Sequence, residues 1–579
     1  LIFAEDPVAS RAMSSPATRD AGGSRDATAV GISVVLALLG VVLLEAWRPH
    51  YFLTDDNLAV QFPVLSEIGR RLLQGRSPFV SDCLFGGAYS LLRDPCCLCM
   101  WHPGILALSL LANTAARFWI VDLIAGSQLV LATASFVLLL NFLRRGFNPS
   151  LGNGAVVFLG LSYGFSGFNV LVGTSWYFYL ANQVALPLYL LGLLHPSRAR
   201  GVLLAALGCA HACLSGFPST WVFALLYASA MAAGLGACRR SAEPILRWGA
   251  ALGAALLALS PILGPALLGF WGSPRSAAFT LQDASFLSMA HDHALLSVFL
   301  GALGKWTPIV FHDPVIFSME EDHVRALGFF VASWFLFPAV AARRRWRAIE
   351  VLMVALWALV LLVMARPAWL GRLFLAIPFL GAIRWPFREM YVAVFFLHVL
   401  LALRLPALPR ARALALGAVG VAILGLSLVP AGPPSFNPMG RDRHLLFSGK
   451  ADAFWKDLAA RVDLSGGYLP VAPAELVFLK NGQRFPHGLV GSYDYASLRA
   501  VRNLTGALAA PPRTVTEAAP IPYHWAGIYA PSDLEALRRW APRAAIVQVH
   551  QLQPLVITVE TNRHAVALAP PQLWHVAPR

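Results

Sequence analysis

A chain of 579 residues that is 57% hydrophobic and 13% charged is not an ordinary soluble protein, in which about a quarter of residues carry charge. Its mean hydropathy of +0.62 and its repeated apolar stretches, many near the roughly 20 residues that cross a hydrocarbon core, indicate a polytopic α-helical membrane protein rather than a barrel. The net charge of +15 would suit nucleic acid, but the arginines stand in short clusters between apolar runs, which is a topology signal and excludes nucleic acid as a partner.

Residues 1–29 carry Arg11, Arg19 and Arg25 among Ser, Gly and Ala, and read as a disordered cytoplasmic tail. The apolar run that follows has no clear small-residue cleavage site, so it reads as an uncleaved first span. About eleven spans follow from the apolar runs: 30–47, 117–142, 153–172, 177–195, 201–216, 219–237, 248–270, 325–342, 348–365, 388–404 and 412–430. With the N-terminus inside, the loops holding Arg144-Arg145, Arg198/Arg200, Arg239-Arg240/Arg247, Arg343-Arg344-Arg345/Arg347 and Arg404/Arg410/Arg412 are all cytoplasmic. That agrees with the positive-inside rule. Three segments then fall outside: the loops 48–116 and 271–324, and a C-terminal part, 431–579.

The first outer loop opens with Thr54-Asp55-Asp56-Asn57 and reaches Gln61 four residues later. Leu58, Phe62, Leu65, Ile68/Gly69 and Leu72 fall near helical spacing, with Ser66, Glu67, Arg70, Arg71 and Gln74 on the other face. The spacing predicts a helix along the outer interface, apolar side in lipid. Asp55 and Asp56 would stand at its N-terminus, where the helix dipole favours carboxylates. The plain reading is a cap; the sharper one is chemistry, because a carboxylate at a bilayer edge can act as base or hold a metal. Adjacent carboxylates also repel, which favours protonation of one and suits general-base work.

Cys83, Cys96, Cys97 and Cys99 share this loop with His102. An oxidising compartment permits a disulfide between Cys83 and one of the other three. Cys209, Cys213 and Cys238 lie in or beside spans and read as packing residues, as does His211. Tyr163, Trp176, Tyr177 and Tyr179 suit interfacial anchoring, and aromatic faces equally suit a sugar. The middle loop offers His291-Asp292-His293, His312-Asp313 and Glu320-Glu321-Asp322-His323 without a zinc-like spacing. Lys305 beside them could touch sugar or phosphate.

Arg384 and Arg388 flank Pro386 at the outer end of the tenth span. They run against the positive-inside bias, and a helix start with two guanidinium forks makes an anion site. Snorkelling or pairing with Glu389 is the plain alternative. The C-terminal part begins with a turn-rich linker (430–438) and reads as an α+β domain. It has a short helix at 533–540 and alternating strands at 545–550 and 555–561.

Read in order, several short motifs resemble the YfhO-like bacterial membrane proteins, within the GT-C class of polyprenyl-phosphate-sugar-dependent glycosyltransferases. They are the Asp55-Asp56 loop with Gln61, Gly75-Arg76-Ser77-Pro78, Phe85-Gly86-Gly87-Ala88, Trp101-His102-Pro103, Tyr163-Gly164-Phe165-Ser166-Gly167-Phe168, Leu186-Pro187-Leu188, Leu214-Ser215-Gly216-Phe217-Pro218, Ile383-Arg384-Trp385-Pro386-Phe387-Arg388 and Gly491-Ser492-Tyr493-Asp494-Tyr495-Ala496. The succession spans most of the chain, while the acid-to-Gln spacing departs from the family's and leaves Asp55 and Asp56 both open as the matching acid.

The resemblance implies a GT-C-like fold in a bacterial inner membrane, with an extracytoplasmic C-terminal domain. It implies transfer of a hexosyl or pentosyl group from a polyprenyl-phosphate donor to a glycan, lipid or protein acceptor. Asp56, or Asp55, would be base or ligand of a divalent metal (Mg or Mn). Gln61 would position substrate, and Arg384, Arg388 and Lys305 would bind the donor. A transporter or flippase of lipid-linked glycans and a non-catalytic envelope assembly protein are the competing classes. The first would need charged or broken helices near the midplane; Pro187, Pro261 and Pro265 keep it open.

Overall fold

The computed structural model describes residues 19–54, 56–81, 89–93, 95–271, 345–365, 368–377, 380, 389–406, 446–464, 468–471, 535, 538, 545–552, 555–560 and 565–568. Helix α1 (Arg19–Trp47) starts inside the segment expected to be a disordered tail. Asp26 is buried and pairs with Arg144 and Arg145, and Asn141 Nδ2 donates to its carbonyl (3.2 Å). These contacts anchor the helix before its apolar run begins.

After α1 the chain makes a π-helical turn, Asn57–Gln61, and enters α2 (Phe62–Leu73). The expected apolar stripe exists but does not lie in lipid. Leu58, Phe62, Leu65 and Ile68 are at most 1% exposed, and Ser66, Glu67 and Arg71 on the polar face are buried as well. The loop folds over its own helix: β1 (Val80–Ser81) pairs antiparallel with β2 (Tyr89–Ser90), and α3 (Pro103–Ser109) crosses α2. At the crossing a Cβ on Gly69 would sit 1.8 Å from the Ser109 carbonyl oxygen, so only glycine admits this approach.

Helix α4 (Ile120–Gly146) follows. The single span expected at 153–172 is two helices, α5 (Asn153–Gly164) and α6 (Gly167–Ser175). A Cβ on Gly164 would fall 2.0 Å from Thr133 Oγ1. Two residues on, Ser166 Oγ accepts from Asn169 N (3.3 Å), a start signal that re-initiates the helix. The remaining described helices are α7 (Leu180–Leu194), α8 (Arg198–Ser215), α9 (Pro218–Arg239), α10 (Glu243–Trp271), α11 (Ala348–Ala365), α12 (Ala368–Ala376) and α13 (Met390–Arg404). The spans expected at 325–342 and 412–430 lie outside the described residues. Among the described residues five helices are long and apolar enough to cross a membrane, within 26–47, 117–146, 177–194, 220–239 and 243–269; those at 103–113, 348–363 and 390–404 are shorter apolar helices.

Polar contacts sort the helix ends into two groups. Arg347 bridges Glu350, the Phe147 carbonyl and the Leu403 carbonyl, and Arg404 NH1 donates to the second oxygen of Glu350 (2.8 Å). Asn148 Nδ2 donates to the carbonyls of Ala402 and Leu405, while Arg247 reaches the carbonyls of Gly192 and His195. The arginine-bearing turns therefore lie together at helix ends tied to one another. At the opposite ends, Thr54 is tied to Thr174, His102 to Leu214, and Tyr391 to Thr220. This alternation is what a bundle of successive spans requires.

Toward the C-terminus, α14 (Lys450–Arg461) is joined to the bundle by Arg117 NH2 donating to Asp452 Oδ2 (2.9 Å) and by His50 stacked on Phe447 (4.8 Å, 12°). Strands β3 (Tyr468–Val471), β4 (Ala545–Leu552), β5 (Leu555–Glu560) and β6 (Ala565–Leu568) form a sheet in that order. β3 and β4 run parallel, the rest antiparallel. The inward-facing residues Val547, Val549 and Val559 are at most 1% exposed.

Candidate functional site

The loop after α1 that carries Asp56 is gripped from several helices. Glu45 Oε2 accepts from the backbone N–H groups of His50 (2.8 Å) and Tyr51 (3.3 Å), closing the end of α1. His50 takes a left-handed conformation (φ 59°), uncommon for a residue with a side chain. Its ring lies between Trp119 and Phe447, 3.5 Å from Asp122 Oδ2. The other oxygen of Asp122 accepts from Phe52 N (2.8 Å). Burial pushes the Tyr51 phenol above its ordinary value and the neighbouring Arg48 guanidinium below its own.

The next fixed point is Asn57, whose side chain is fully buried. Its Nδ2 donates to the carbonyls of Phe52 (2.9 Å), Gly173 (2.7 Å) and Thr174 (3.0 Å), and its Oδ1 accepts from Tyr177 N (3.2 Å). Thr54 Oγ1 donates to the same Thr174 carbonyl (2.8 Å). Asp56 sits between these two anchors, half-buried. It makes no side-chain cap bond to the turn it precedes, so the capping role expected of it is not the one it has. Its Oδ2 instead accepts from Trp176 Nε1 at 2.7 Å, an indole donor that holds the carboxylate toward the end of α6.

Trp176 begins a layer of aromatic side chains. Its ring is 5.9 Å from Tyr179, which is 6.4 Å from Tyr391 at the start of α13. Tyr391 OH donates to the Thr220 carbonyl (2.6 Å), and Gln183 Nε2 donates to the Tyr391 carbonyl (3.4 Å) and to Asn169 Oδ1 (2.9 Å). Glu389, the residue before α13, is buried and accepts from Tyr227 OH at 2.8 Å. Tyr163, Trp176, Tyr177 and Tyr179 are at most 4% exposed. They line protein interior rather than anchoring at a lipid interface, because α7, α9 and α13 close around them.

Of the residues singled out by sequence, Asp56 and Gln61 are described, on either end of one π-helical turn. Such turns occur mainly as single insertions and are frequent at functional sites. Gln61 is buried, and its Oε1 accepts from the Cys99 thiol (3.5 Å). Cys99 is buried, as are Cys209 and Cys213 inside α8. Asp55, Lys305, Arg384 and Arg388 lie outside the described residues, as does Cys83. Among the described residues no three His, Cys, Asp or Glu side chains converge as metal ligands.

His102 starts α3 by accepting Gly104 N on Nδ1 (3.2 Å), and burial lowers its pKa. Its ring meets His211 edge to face (5.0 Å), and His211 Nε2 is hydrogen-bonded to Gln128 Oε1 across to α4 (2.8 Å). Both rings serve packing.

Sequence reasoning weighed charges and, Gln61 apart, passed over amides. Asn57, Asn182 and Gln183 stand inside apolar stretches, where a polar side chain in a span is costly and marks function. That signal was available for Asn182-Gln183. Glu389 was noticed only as a partner for Arg388.

No family model and no curated protein matches the chain. Among solved structures it is similar to the crystal structure of ArnT from Cupriavidus metallidurans bound to undecaprenyl phosphate, with 12% identity over 94% of this chain and 99% of that one and a TM-score of 0.42. A likeness of this degree leaves function to be argued from the residues of this chain.

Proposed function

We propose that the chain is a membrane glycosyltransferase of the GT-C type that moves a hexosyl or pentosyl group from a polyprenyl-phosphate donor to a glycan, lipid or protein acceptor outside the cytoplasmic membrane. The observation that carries this reading is Asp56: a half-buried carboxylate set between the Thr54 and Asn57 anchors and oriented by Trp176 Nε1 at 2.7 Å, beside buried aromatic rings. A base must be held in one geometry to be effective, and loss of about 1 Å of placement costs on the order of 100-fold in rate.

In the reaction, the acceptor hydroxyl gives its proton to Asp56, and its oxygen forms a bond to the anomeric carbon. The bond from that carbon to the phosphate oxygen breaks, and the electron pair leaves with the polyprenyl phosphate. Attack opposite the leaving group inverts the anomeric centre. Asp56 supplies the base, Trp176 orients it, Gln61 stiffens the turn below it, and Asp55 assists from the preceding position. Arg384, Arg388 and Lys305 are the cations assigned to the leaving phosphate. The C-terminal part, attached through Arg117–Asp452 and His50–Phe447, selects the acceptor.

The break between α5 and α6 also suits a flippase of lipid-linked glycan, since broken spans accompany transport sites. Reconstituted protein separates the two readings. Asp56→Asn should abolish sugar transfer from a polyprenyl-phosphate hexose while leaving lipid binding in place. Full transfer by both Asp56→Asn and Asp55→Asn would refute the transferase mechanism, and movement of the lipid-linked sugar across the bilayer without transfer would establish the flippase.

A further inference from the structure

Asn182 is fully buried, and among the described residues neither its Nδ2 nor its Oδ1 has a hydrogen-bond partner. Gln183 beside it spends its Nε2 on Asn169 and Tyr391, yet its Oε1 also lacks a partner among the described residues. Leaving a buried amide group unsatisfied costs about 1–3 kcal/mol. A span that keeps three such atoms has a polar ligand to spend them on or an unmet cost.

The packing of α7 locates the amide. Ala185 and Tyr189 lie against Gly208 of α8: a Cβ there would meet the Tyr189 ring at 2.9 Å and the Ala185 carbonyl at 3.2 Å. Asn182 stands three residues before Ala185, on the shoulder of that face. It also stands three residues after Tyr179, and residues three apart share a flank of a helix. Tyr179 turns its ring toward Tyr391 of α13 and lies beside Trp176. Proceeding inward from Asp56, the chain therefore presents an indole, a phenol and then an unsatisfied amide. Glu389, held by Tyr227, stands two residues before Tyr391 on the neighbouring element.

These groups select one ligand chemistry. Aromatic planes cover the C–H faces of a sugar ring, while an amide with both a donor and an acceptor to offer matches a hydroxyl, which is also both. A prenyl chain would leave Asn182 as unsatisfied as before. A phosphate gains nothing from the amide carbonyl oxygens or from the carboxylates of Asp56 and Glu389.

We propose that Trp176, Tyr179 and Asn182 form the subsite for the transferred glycosyl group, a neutral hydroxyl-bearing sugar, with Asn182 setting which sugar is accepted. This rests on the transferase reading of Asp56 but concerns binding, so it can fail separately.

The test uses the full chain in nanodiscs and two probes, a short-chain polyprenyl phosphate and the same lipid phosphate carrying a hexose. Wild type should bind the glycosylated probe at least about 10-fold more tightly than the bare one. Asn182→Leu, with the same side-chain branching and unable to hydrogen-bond, should lose that preference while binding the bare lipid phosphate unchanged. Tyr179→Leu removes the ring instead and should have the same effect if the first variant does not accumulate. Asp56→Asn should keep the preference and lose transfer. A preference retained in Asn182→Leu alongside a raised thermal midpoint would overturn the inference, because the amide would then merely hold water. Equal binding of both probes by wild type would overturn it too, whereas failure to bind either probe would instead remove the transferase reading.

Discussion

Asn57→Ala tests how Asp56 is held without touching the carboxylate. The native amide makes four contacts of 2.7–3.2 Å to backbone groups of Phe52, Gly173, Thr174 and Tyr177, in a position with no exposure. Thr174 O keeps its bond from Thr54 Oγ1 when the amide is removed. Tyr177 N, Gly173 O and Phe52 O lose this side-chain partner. At about 1 kcal/mol or more for each stranded group, the variant should be destabilised by roughly 3 kcal/mol or more. The larger consequence is positional. The amide is the clasp between the Asp56 loop and the turn carrying Trp176, so its loss lets carboxylate and indole separate. A displacement near 1 Å predicts a fall in kcat of about 100-fold, with a smaller change in KM. Two measurements check this: the thermal midpoint of detergent-purified protein, and sugar transfer from a polyprenyl-phosphate hexose. Asn57→Asp should be no better, since it turns an acceptor toward three carbonyl oxygens. Wild-type activity in Asn57→Ala at an unchanged midpoint would refute the reasoning.

Gly69→Ala places a Cβ 1.8 Å from the Ser109 carbonyl; it should force α2 off α3, lowering the midpoint and the rate together, with Gly75→Ala, where nothing lies within 4 Å but φ is +66°, costing only local strain. At the arginine-rich end, Glu350 is fully buried between Arg347 and Arg404. Glu350→Ala should lower stability by about 3–5 kcal/mol, the cost of leaving buried cations without their partner, read as lost yield of folded protein. His102 is held below its ordinary pKa by burial, so it is neutral in the folded protein and the unfolded chain takes up the proton first. Stability tied to it is full above about pH 6.5 and is lost as pH falls below that. Asn at this position keeps a capping oxygen without titrating, so His102→Asn should show a smaller drop in midpoint between pH 7.5 and 5.5, and an equal drop would exclude the assignment.

The described spans were legible because their apolar runs are long and alternate turns between them carry arginine. The helices α4, α7, α8, α9, α10, α11 and α13 stand close to where hydropathy places them. The broken span was not legible: Tyr163-Gly164-Phe165-Ser166-Gly167 is apolar enough to read through, although Ser166 caps the start of α6 and Gly164 lies close against Thr133 of another helix. The start of α1 was missed for a similar reason, since Asp26 is a poor residue for a span until Arg144 and Arg145 arrive from more than a hundred positions away. Asp56 was singled out in the sequence by the cost of a carboxylate beside a membrane. Its partners were not, because Trp176 and Asn57 meet it only through the folding of α6 onto the first loop. Charge is visible in the local sequence, whereas hydrogen bonding by neutral side chains from distant helices is not.

The misplacement of the α2 stripe bears on the site itself. A helix floating with one face in lipid would leave Asp56 on a mobile edge, free to rotate with the lipid surface. Buried on both faces, with Gly69 pressed to Ser109 and Gln61 tied to Cys99, the same helix becomes a rigid base for the turn that carries the acid. Groups that do chemistry need supports whose own rotamers are locked. The expectation of an interfacial helix and the expectation of a catalytic Asp56 were therefore in tension. The first had to fail for the second to be physically sound, and the clasp at Asn57 is intelligible only once both ends of the loop are anchored in protein.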